Sequence, residues 1–307
     1  MNPGSGKEFV ITAAGAEYVK QHIVRRTHDS HKGTYGTLLS ITGSRNMPGA
    51  AVLSGKAALR SGLGLLKQCA VPEYIGTMAA AFPEPVYIPV KCDKDGYYTE
   101  ENAEMLIAAS EKSDAVLIGC GLGCTDSTKA LVRRLIPAVR CPLVIDADGL
   151  NCIADDPEIL CRASHQVIIT PHPAEAGRLA GCSTKEIQSD RMKTVSRFTE
   201  RFPEVITVLK GAGTFTASGN RVFENPTGNP GMSTGGSGDV LAGIAASFAA
   251  QNRGAASLFD LAVSAVWIHG RAGDLAAEHH LSSACFRKIL FRFSAWFSEN
   301  WETLINL

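Results

Sequence analysis

From Thr37 onward, short and almost unbroken apolar runs alternate with amphipathic segments of helical length, and this rhythm leaves few folds open. The strand candidates are 37–42, 64–71, 86–90, 114–119, 142–146, 166–170, 205–209 and 213–217. Between them, 49–61, 101–112, 126–139, 173–180 and 184–202 read as helices. A strand without polar alternation is covered on both faces, so the pattern predicts an α/β fold with a mostly parallel sheet between helical layers. Residues 221–224 are expected to pair with 213–217 through Ser218-Gly219-Asn220, as a hairpin on the sheet edge. After Gly238 the chain turns helical, over 239–251, 257–279 and 284–304. No linker, repeat or low-complexity tract interrupts it, and a single domain over 1–307 is expected.

Composition removes several classes of function. Thirty basic and 30 acidic residues give zero formal charge, which argues against a nucleic-acid backbone or an anionic membrane as partner. The first 15 residues carry no apolar leader core. No window approaches the roughly 18–20 apolar residues of a membrane span. The basic cluster Lys20, Arg25, Arg26 and Lys32, with His22, His28 and His31, reads as part of a solvated segment over 1–33. The nine cysteines are scattered and include no CxxC pair, so neither a disulfide framework nor a zinc site is indicated. Cys120-x3-Cys124 is the nearest pair and lacks partners at ligand spacing. A reduced, cytoplasmic protein is expected.

In an open parallel sheet, ligands bind beyond the carboxyl ends of the strands. Here those positions hold Gly43-Ser44, Gly119-Cys120-Gly121-Leu122-Gly123, Asp146-Ala147-Asp148, Thr170-Pro171-His172-Pro173-Ala174-Glu175 and Lys210-Gly211-Ala212-Gly213-Thr214. Asp146 and Asp148 are either loop acids satisfied by backbone donors or groups that orient Mg²⁺ through waters. His172, between two prolines, is either a buried imidazole bonded to backbone or a ligand contact. Lys210 either pairs with a surface acid or belongs to a nucleotide-binding turn.

The densest signal is Thr227-Gly228-Asn229-Pro230-Gly231-Met232-Ser233-Thr234-Gly235-Gly236-Ser237-Gly238-Asp239, which runs straight into a helix. Nine of the 30 glycines fall between Gly211 and Gly243. Glycine-rich backbone at a helix N-terminus offers free N–H groups along the helix dipole, a site for phosphates. No Gly-Lys-Ser/Thr follows, so this is not a Walker A loop. Asp239 is either an ordinary acid favoured by the dipole or a general base beside bound phosphates. The dipole is expected to lower its pKa, leaving an ionised but weak base.

Together with His31-Lys32-Gly33-Thr34-Tyr35-Gly36 and Pro48-Gly49-Ala50-Ala51, these motifs occur in the order seen in the NAD(P)H-hydrate dehydratases, which the chain resembles over about residues 25–280. The resemblance implies a ribokinase-like three-layer αβα sandwich with a mostly parallel central sheet. It also implies a lyase that restores NADH or NADPH hydrated on the nicotinamide ring, driven by ADP going to AMP and phosphate. In that reading Asp239 is the general base, and Gly235–Gly238, through Gly236, Ser237 and Gly238, form the anion hole. Ala50, Gly123, His172 and Asp239 contact the hydrate, while Lys210, Gly211, Ala212, Gly213, Thr214 and Gly238 contact the adenine nucleotide. Mg²⁺ is implied near Asp146 or Glu175, with no ligand set assigned. A homotetramer, and a separate epimerase working on the hydrate, are further implications.

Two positions depart from the family pattern. Cys120 stands where proline is common. The end of the chain, 281–307, replaces a glycine-rich closing segment with an atypical helix striped by Ile289, Phe293, Trp296, Phe297, Trp301, Leu304 and Ile305. That stripe reads as a core or subunit-contact face rather than a membrane anchor. Two other readings use the same loops: a small-molecule alcohol kinase of the hydroxymethylpyrimidine or hydroxyethylthiazole type, and a nucleotide-binding sensor without turnover. The His31-Lys32-Gly33 and Pro171-His172-Pro173 motifs favour the dehydratase, and an intact Asp239 argues against the sensor.

Overall fold

A computed structural model describes residues 9–12, 14–252 and 254–279; the expected 284–304 helix and its apolar stripe lie outside the described residues. In chain order the first half contains β1 (Val10–Ile11), α1 (Ala16–His22), β2 (Thr37–Ile41), α2 (Pro48–Arg60), β3 (Leu65–Ala70), α3 (Ile75–Ala81), β4 (Val86–Pro89), α4 (Ala103–Ser110), β5 (Ala115–Ile118) and α5 (Asp126–Ala138). There follow β6 (Leu143–Ile145), α6 (Asp148–Asn151), β7 (Val167–Ile169), α7 (Pro173–Ala180), α8 (Thr184–Ser189), α9 (Arg191–Arg201), β8 (Val205–Leu209), β9 (Phe215–Ser218), β10 (Arg221–Glu224), α10 (Ser237–Gln251) and α11 (Leu258–His279).

The strands form one sheet in the order β1-β10-β9-β8-β7-β6-β5-β2-β3-β4. Every neighbouring pair is parallel except the two that involve β9. Alternate residues of the central strands feed two cores. Leu38, Leu117, Val144, Ile168 and Ile206 face one, with α2, α10 and α11. Leu39, Val116, Ile118, Ile145 and Ile169 face the other, with α5, α7 and α9. This two-sided burial is why those strands read as continuous apolar runs. The order reverses between β2 and β5, which places a crevice at the carboxyl edge there.

Local differences from the sequence expectation have identifiable causes. The expected helix 184–202 is two helices, because Asp190 adopts an extended backbone and its carboxylate accepts the Lys193 N–H at 2.8 Å, starting α9 afresh. The 1–33 segment is not simply solvated: β1 pairs with β10, and Val19 of α1 is fully buried. The Tyr18 hydroxyl donates to Asp260 at 2.5 Å, tying α1 to α11. The short helices α3 and α6 are not among the segments expected to be helical.

On one face α2 and α10 lie against each other through small residues. Gly243 is the closest point, since a Cβ there would stand 2.2 Å from the Ser54 carbonyl oxygen. Ser247 Oγ donates to the Ala58 carbonyl at 2.8 Å and Gln251 Nε2 to that of Ser61 at 2.8 Å. These bonds fix the register in which α10 delivers its N-terminus to the sheet edge. Gly243→Ala is expected to cost about 3 kcal/mol, because backbone rather than a flexible side chain must move. Urea denaturation at neutral pH measures it.

Candidate active site

Asp146 closes β6 with its side chain almost wholly buried. Its Oδ1 accepts from Lys210 Nζ at 2.7 Å and from Thr170 Oγ1 at 2.6 Å, and its Oδ2 from the Cys120 thiol at 3.6 Å. Residues from the ends of β5, β6, β7 and β8 thus converge on one carboxylate. Gly119 makes the approach possible: its φ is 124°, and a Cβ would lie 2.0 Å from the Asp146 carbonyl oxygen. Ala147 is the one described non-glycine residue with positive φ, at 50°, a strained conformation of the kind held at functional sites. The turn it makes lets Asp148 Oδ2 accept the Gly123 N–H at 2.9 Å. Gly121 in turn lies against Ala50, so the two loops that carry Ala50 and Gly123 are packed side by side.

Asp239 occupies the first turn of α10, and one donor atom each of Cys120, Asp146 and Asp239 lies within 4.8 Å of the others. Burial, then the negative charge of Asp146, raises the Asp239 carboxyl to about 7, against the smaller pull of the Cys120 thiol and Lys210. The expectation that the helix dipole would lower this pKa is corrected: desolvation and a neighbouring carboxylate outweigh it. Asp239 is therefore poised to exchange a proton near neutrality. Cys120, fully buried among acids, is held well above the usual thiol range and stays protonated.

His172 is the N-cap of α7. Its Nδ1 accepts from the Ala174 and Glu175 N–H groups at 3.1 and 3.4 Å, which puts the ring proton on Nε2, 3.1 Å from Glu175 Oε1. Glu175 Oε2 accepts the His172 N–H at 2.8 Å, completing a capping box. Burial, Lys210 and Arg178 lower the His172 pKa, so the ring is neutral; half its side chain, 46%, remains exposed. His172 is bonded to backbone as one of its two readings expected, but it is half exposed rather than buried, and one side of the ring is open. Burial raises the Glu175 carboxyl, opposed by Lys210. Lys210 Nζ stands 2.7 Å from Asp146 and 3.7 Å from Glu175, and these charges more than offset burial to hold it ionised. The two acids named as candidate Mg²⁺ neighbours therefore already share an ammonium group.

Beside this cluster opens a cleft of about 460 Å³. Lys210–Thr214 line one side and Ser237 and Gly238 another, so the residues assigned to the nucleotide come together in it. Gly236, at φ 93°, is the N-cap of α10. The Gly238 and Asp239 N–H groups meet no acceptor among the described residues, whereas the Ser237 N–H is taken by the Thr234 carbonyl at 3.3 Å. Of the Gly236-Ser237-Gly238 set, the Ser237 amide is thus already engaged by backbone.

The cleft also uses residues that sequence reasoning missed. Asn225, Pro226, Leu241, Val266 and His269 line it, beside Thr227–Pro230 of the glycine-rich signal. Asp274 holds the loop in place by accepting the Gly228 N–H at 2.9 Å and Asn229 Nδ2 at 3.1 Å. His269, kept neutral by burial and by Lys210 with its pKa near 4, lies 3.4 Å from Ser237 Oγ. His269 and Asp274 sit five residues apart on α11, which offered only helical periodicity as a signal.

A carboxyl raised by folding from 3.8 to about 7 holds its proton more tightly in the native state, so stability falls as pH climbs from about 4 through 7. Asp239→Asn removes that penalty. The variant is expected to gain on the parent as pH rises, its advantage being on the order of 3 kcal/mol larger at pH 8 than at pH 5, measured by denaturant titration at the two pH values.

Comparison with known proteins identifies the family of the chain. Residues 38–291 match the family model described as NAD(P)H-hydrate dehydratase. The ADP-dependent (S)-NAD(P)H-hydrate dehydratase of Neisseria meningitidis is 37% identical over 261 residues, 82% of this chain and 81% of that protein. The chain spans about half the length of several bifunctional NAD(P)H-hydrate repair enzymes it matches, 54% in Moorella thermoacetica at 36% identity across 95% of this chain. Among solved structures, a ribokinase-like superfamily protein of Enterococcus faecalis superposes with a TM-score of 0.75 at 26% identity, covering 94% of this chain and 96% of that one. The ADP/ATP-dependent NAD(P)H-hydrate dehydratase of Bacillus subtilis, co-crystallised with ATP and Mg²⁺, gives 0.71 at 28%, covering 96% and 100%. With a ribokinase-like fold, a raised aspartate at a glycine-rich helix start and a family match across most of its length, the chain belongs to the NAD(P)H-hydrate dehydratase family.

Proposed function

We propose that this protein dehydrates the (S)-hydrate of NADH or NADPH, consuming ADP and releasing AMP and phosphate. The observation that carries the reading is the position of Asp239, a carboxyl with a pKa of about 7 in the same helical turn as the free Gly238 amide. Hydroxide is a poor leaving group at neutral pH, so the ring hydroxyl must be converted into a better one. Asp239 takes the hydroxyl proton as the oxygen bonds to the β-phosphorus of ADP, and the bond from that phosphorus to the bridging oxygen breaks to release AMP. The ring nitrogen lone pair then expels the new phosphate group, and the resulting iminium cation loses a proton from the adjacent ring carbon to the departing phosphate, which forms the ring double bond of NAD(P)H. The Gly238 amide, the helix N-terminus and Lys210 stabilise the charge on the transferred group. Lys210–Thr214 hold the nucleotide, and Ala50, Gly123 and the open side of His172 hold the hydrate.

Mg²⁺ accompanies the nucleotide in this reading. Lys210 already sits between Asp146 and Glu175, whereas Cys120, Asp146 and Asp239 each bring one potential ligand atom within 4.8 Å of the others. Asp146 and Asp239 are the acids that would lie nearest such an ion, which would neutralise charge on the phosphates. The proposal extends to a cytoplasmic homotetramer that works beside a separate epimerase. Among the described residues no helix is long and apolar enough to cross a membrane.

Purified protein with NADH hydrate and ADP is expected to restore the near-ultraviolet absorbance of the dihydronicotinamide ring, with one AMP formed per hydrate lost. Phosphorylation of a simple alcohol without that recovery would overturn the reading. Asp239→Asn is expected to lower kcat about 10³-fold while ADP binding is retained or tightened. In the parent enzyme kcat/KM should fall about tenfold per pH unit below about 7 as Asp239 gains its proton. Cys120→Ala, which removes a donor to the acid cluster, should move that limb to higher pH.

A further inference from the structure

The turn at 210–214 has a guanidinium behind it. Arg191 is the first residue of α9 and is not among the residues lining the cleft. Its Nη2 donates to the Leu209 carbonyl at 3.0 Å and its Nη1 to the Ala212 carbonyl, so one side chain grips the turn at two points. The guanidinium carbon lies 5.2 Å from the centre of the Phe215 ring, at the far end of the same turn. Its Nε is buried and has no partner. Burial pulls the Arg191 pKa down against the charge of Glu224. A half-buried cation with a buried, unmet donor is unfavourable in itself, and such arrangements persist where a site needs them.

The geometry gives that need a form. All described peptide bonds are trans, and a trans peptide points its carbonyl and its N–H in opposite directions. The Ala212 carbonyl faces Arg191, so the Gly213 N–H of the same peptide points away from it. The amides of Gly211, Ala212 and Gly213 meet no acceptor among the described residues, and these three residues line the cleft. A cation on the carbonyl side also polarises the peptide and makes its N–H a stronger donor.

We propose that Arg191 is a positioning residue for the nucleotide: by holding the Leu209 and Ala212 carbonyls, it presents the turn's amides to the phosphate-bearing part of the nucleotide. The inference rests on the nucleotide placement proposed above. Arg191 itself touches neither substrate. Lysine, with a single nitrogen, replaces it incompletely, because it cannot span both carbonyls in one fixed fork.

The test compares the full chain with Arg191→Met and Arg191→Lys, using calorimetric ADP titration, steady-state kinetics with NADH hydrate, and the Gly213 amide proton shift without ligand. Arg191→Met is expected to weaken ADP binding about tenfold, with kcat at saturating ADP and KM for the hydrate within about twofold of the parent. Arg191→Lys is expected to recover part of that loss, and the Gly213 amide proton to move upfield in both variants. If the Met variant does not fold, the Lys variant alone must show weaker ADP binding at unchanged hydrate KM. Unchanged ADP affinity, or hydrate KM rising in step with it, overturns the proposal. Failure of the parent protein to bind ADP would instead overturn the nucleotide reading on which it stands.

Discussion

The functional edge of this protein depends on one buried negative charge. A carboxylate almost wholly removed from water is tolerated only if its oxygens are met by donors. Asp146 meets that condition with Lys210, Thr170 and Cys120, supplied by three different strand ends. The arrangement therefore works as a keystone between β5, β6, β7 and β8, and truncation of any partner would leave part of the charge unmet. The same charge reaches Asp239 and, with burial, raises its pKa into the range where a base is useful at neutral pH. Structural cohesion and proton affinity at this edge thus have one origin.

A second consequence concerns Lys210. Pinned by Asp146 and close to Glu175, it is aimed along the sheet edge rather than free in solvent. Gly238 leaves room beside it, since a Cβ there would stand 3.3 Å from Nζ. The positive end of α10 and this ammonium group consequently border the same space. That local field suits an anionic ligand although the whole chain has no net charge. The field is made by placement, in a region where net composition says nothing.

Much of this was legible in the residues themselves. The apolar runs identified eight strands because central parallel strands are buried on both faces, as Val116–Ile118 and Val167–Ile169 are. Motifs at strand ends pointed to the edge where the structure gathers Cys120, Asp146, Lys210 and Asp239. What stayed hidden depends on contacts distant in sequence. Asp274 and His269 look like any polar residues of a helix until α11 is laid against the 225–232 loop. The break at Asp190 carries no glycine or proline, only a side-chain cap that a continuous helix would not use. The Asp239 pKa was misjudged because the helix dipole is a local property that sequence reveals, whereas proximity to Asp146, 93 positions away in the chain, is not.

The reversed strand β9 gives the 210–214 turn a mechanical character unlike that of the other edge loops. The remaining loops each leave a strand and enter a helix or a crossover, so one of their ends can shift with the element that follows. The 210–214 turn is instead bounded by β8 and β9, which are laddered to each other from Leu209 and Phe215 inward. Both of its ends are clamped to the sheet, and neither can slide without breaking strand pairing. Length changes in this turn are therefore felt at once at the cleft. An added residue at Ser218-Gly219-Asn220 would be absorbed at the opposite edge of the sheet, far from any bound ligand. Of the two turns that flank β9, one behaves as a rigid jaw and the other as a tolerant seam.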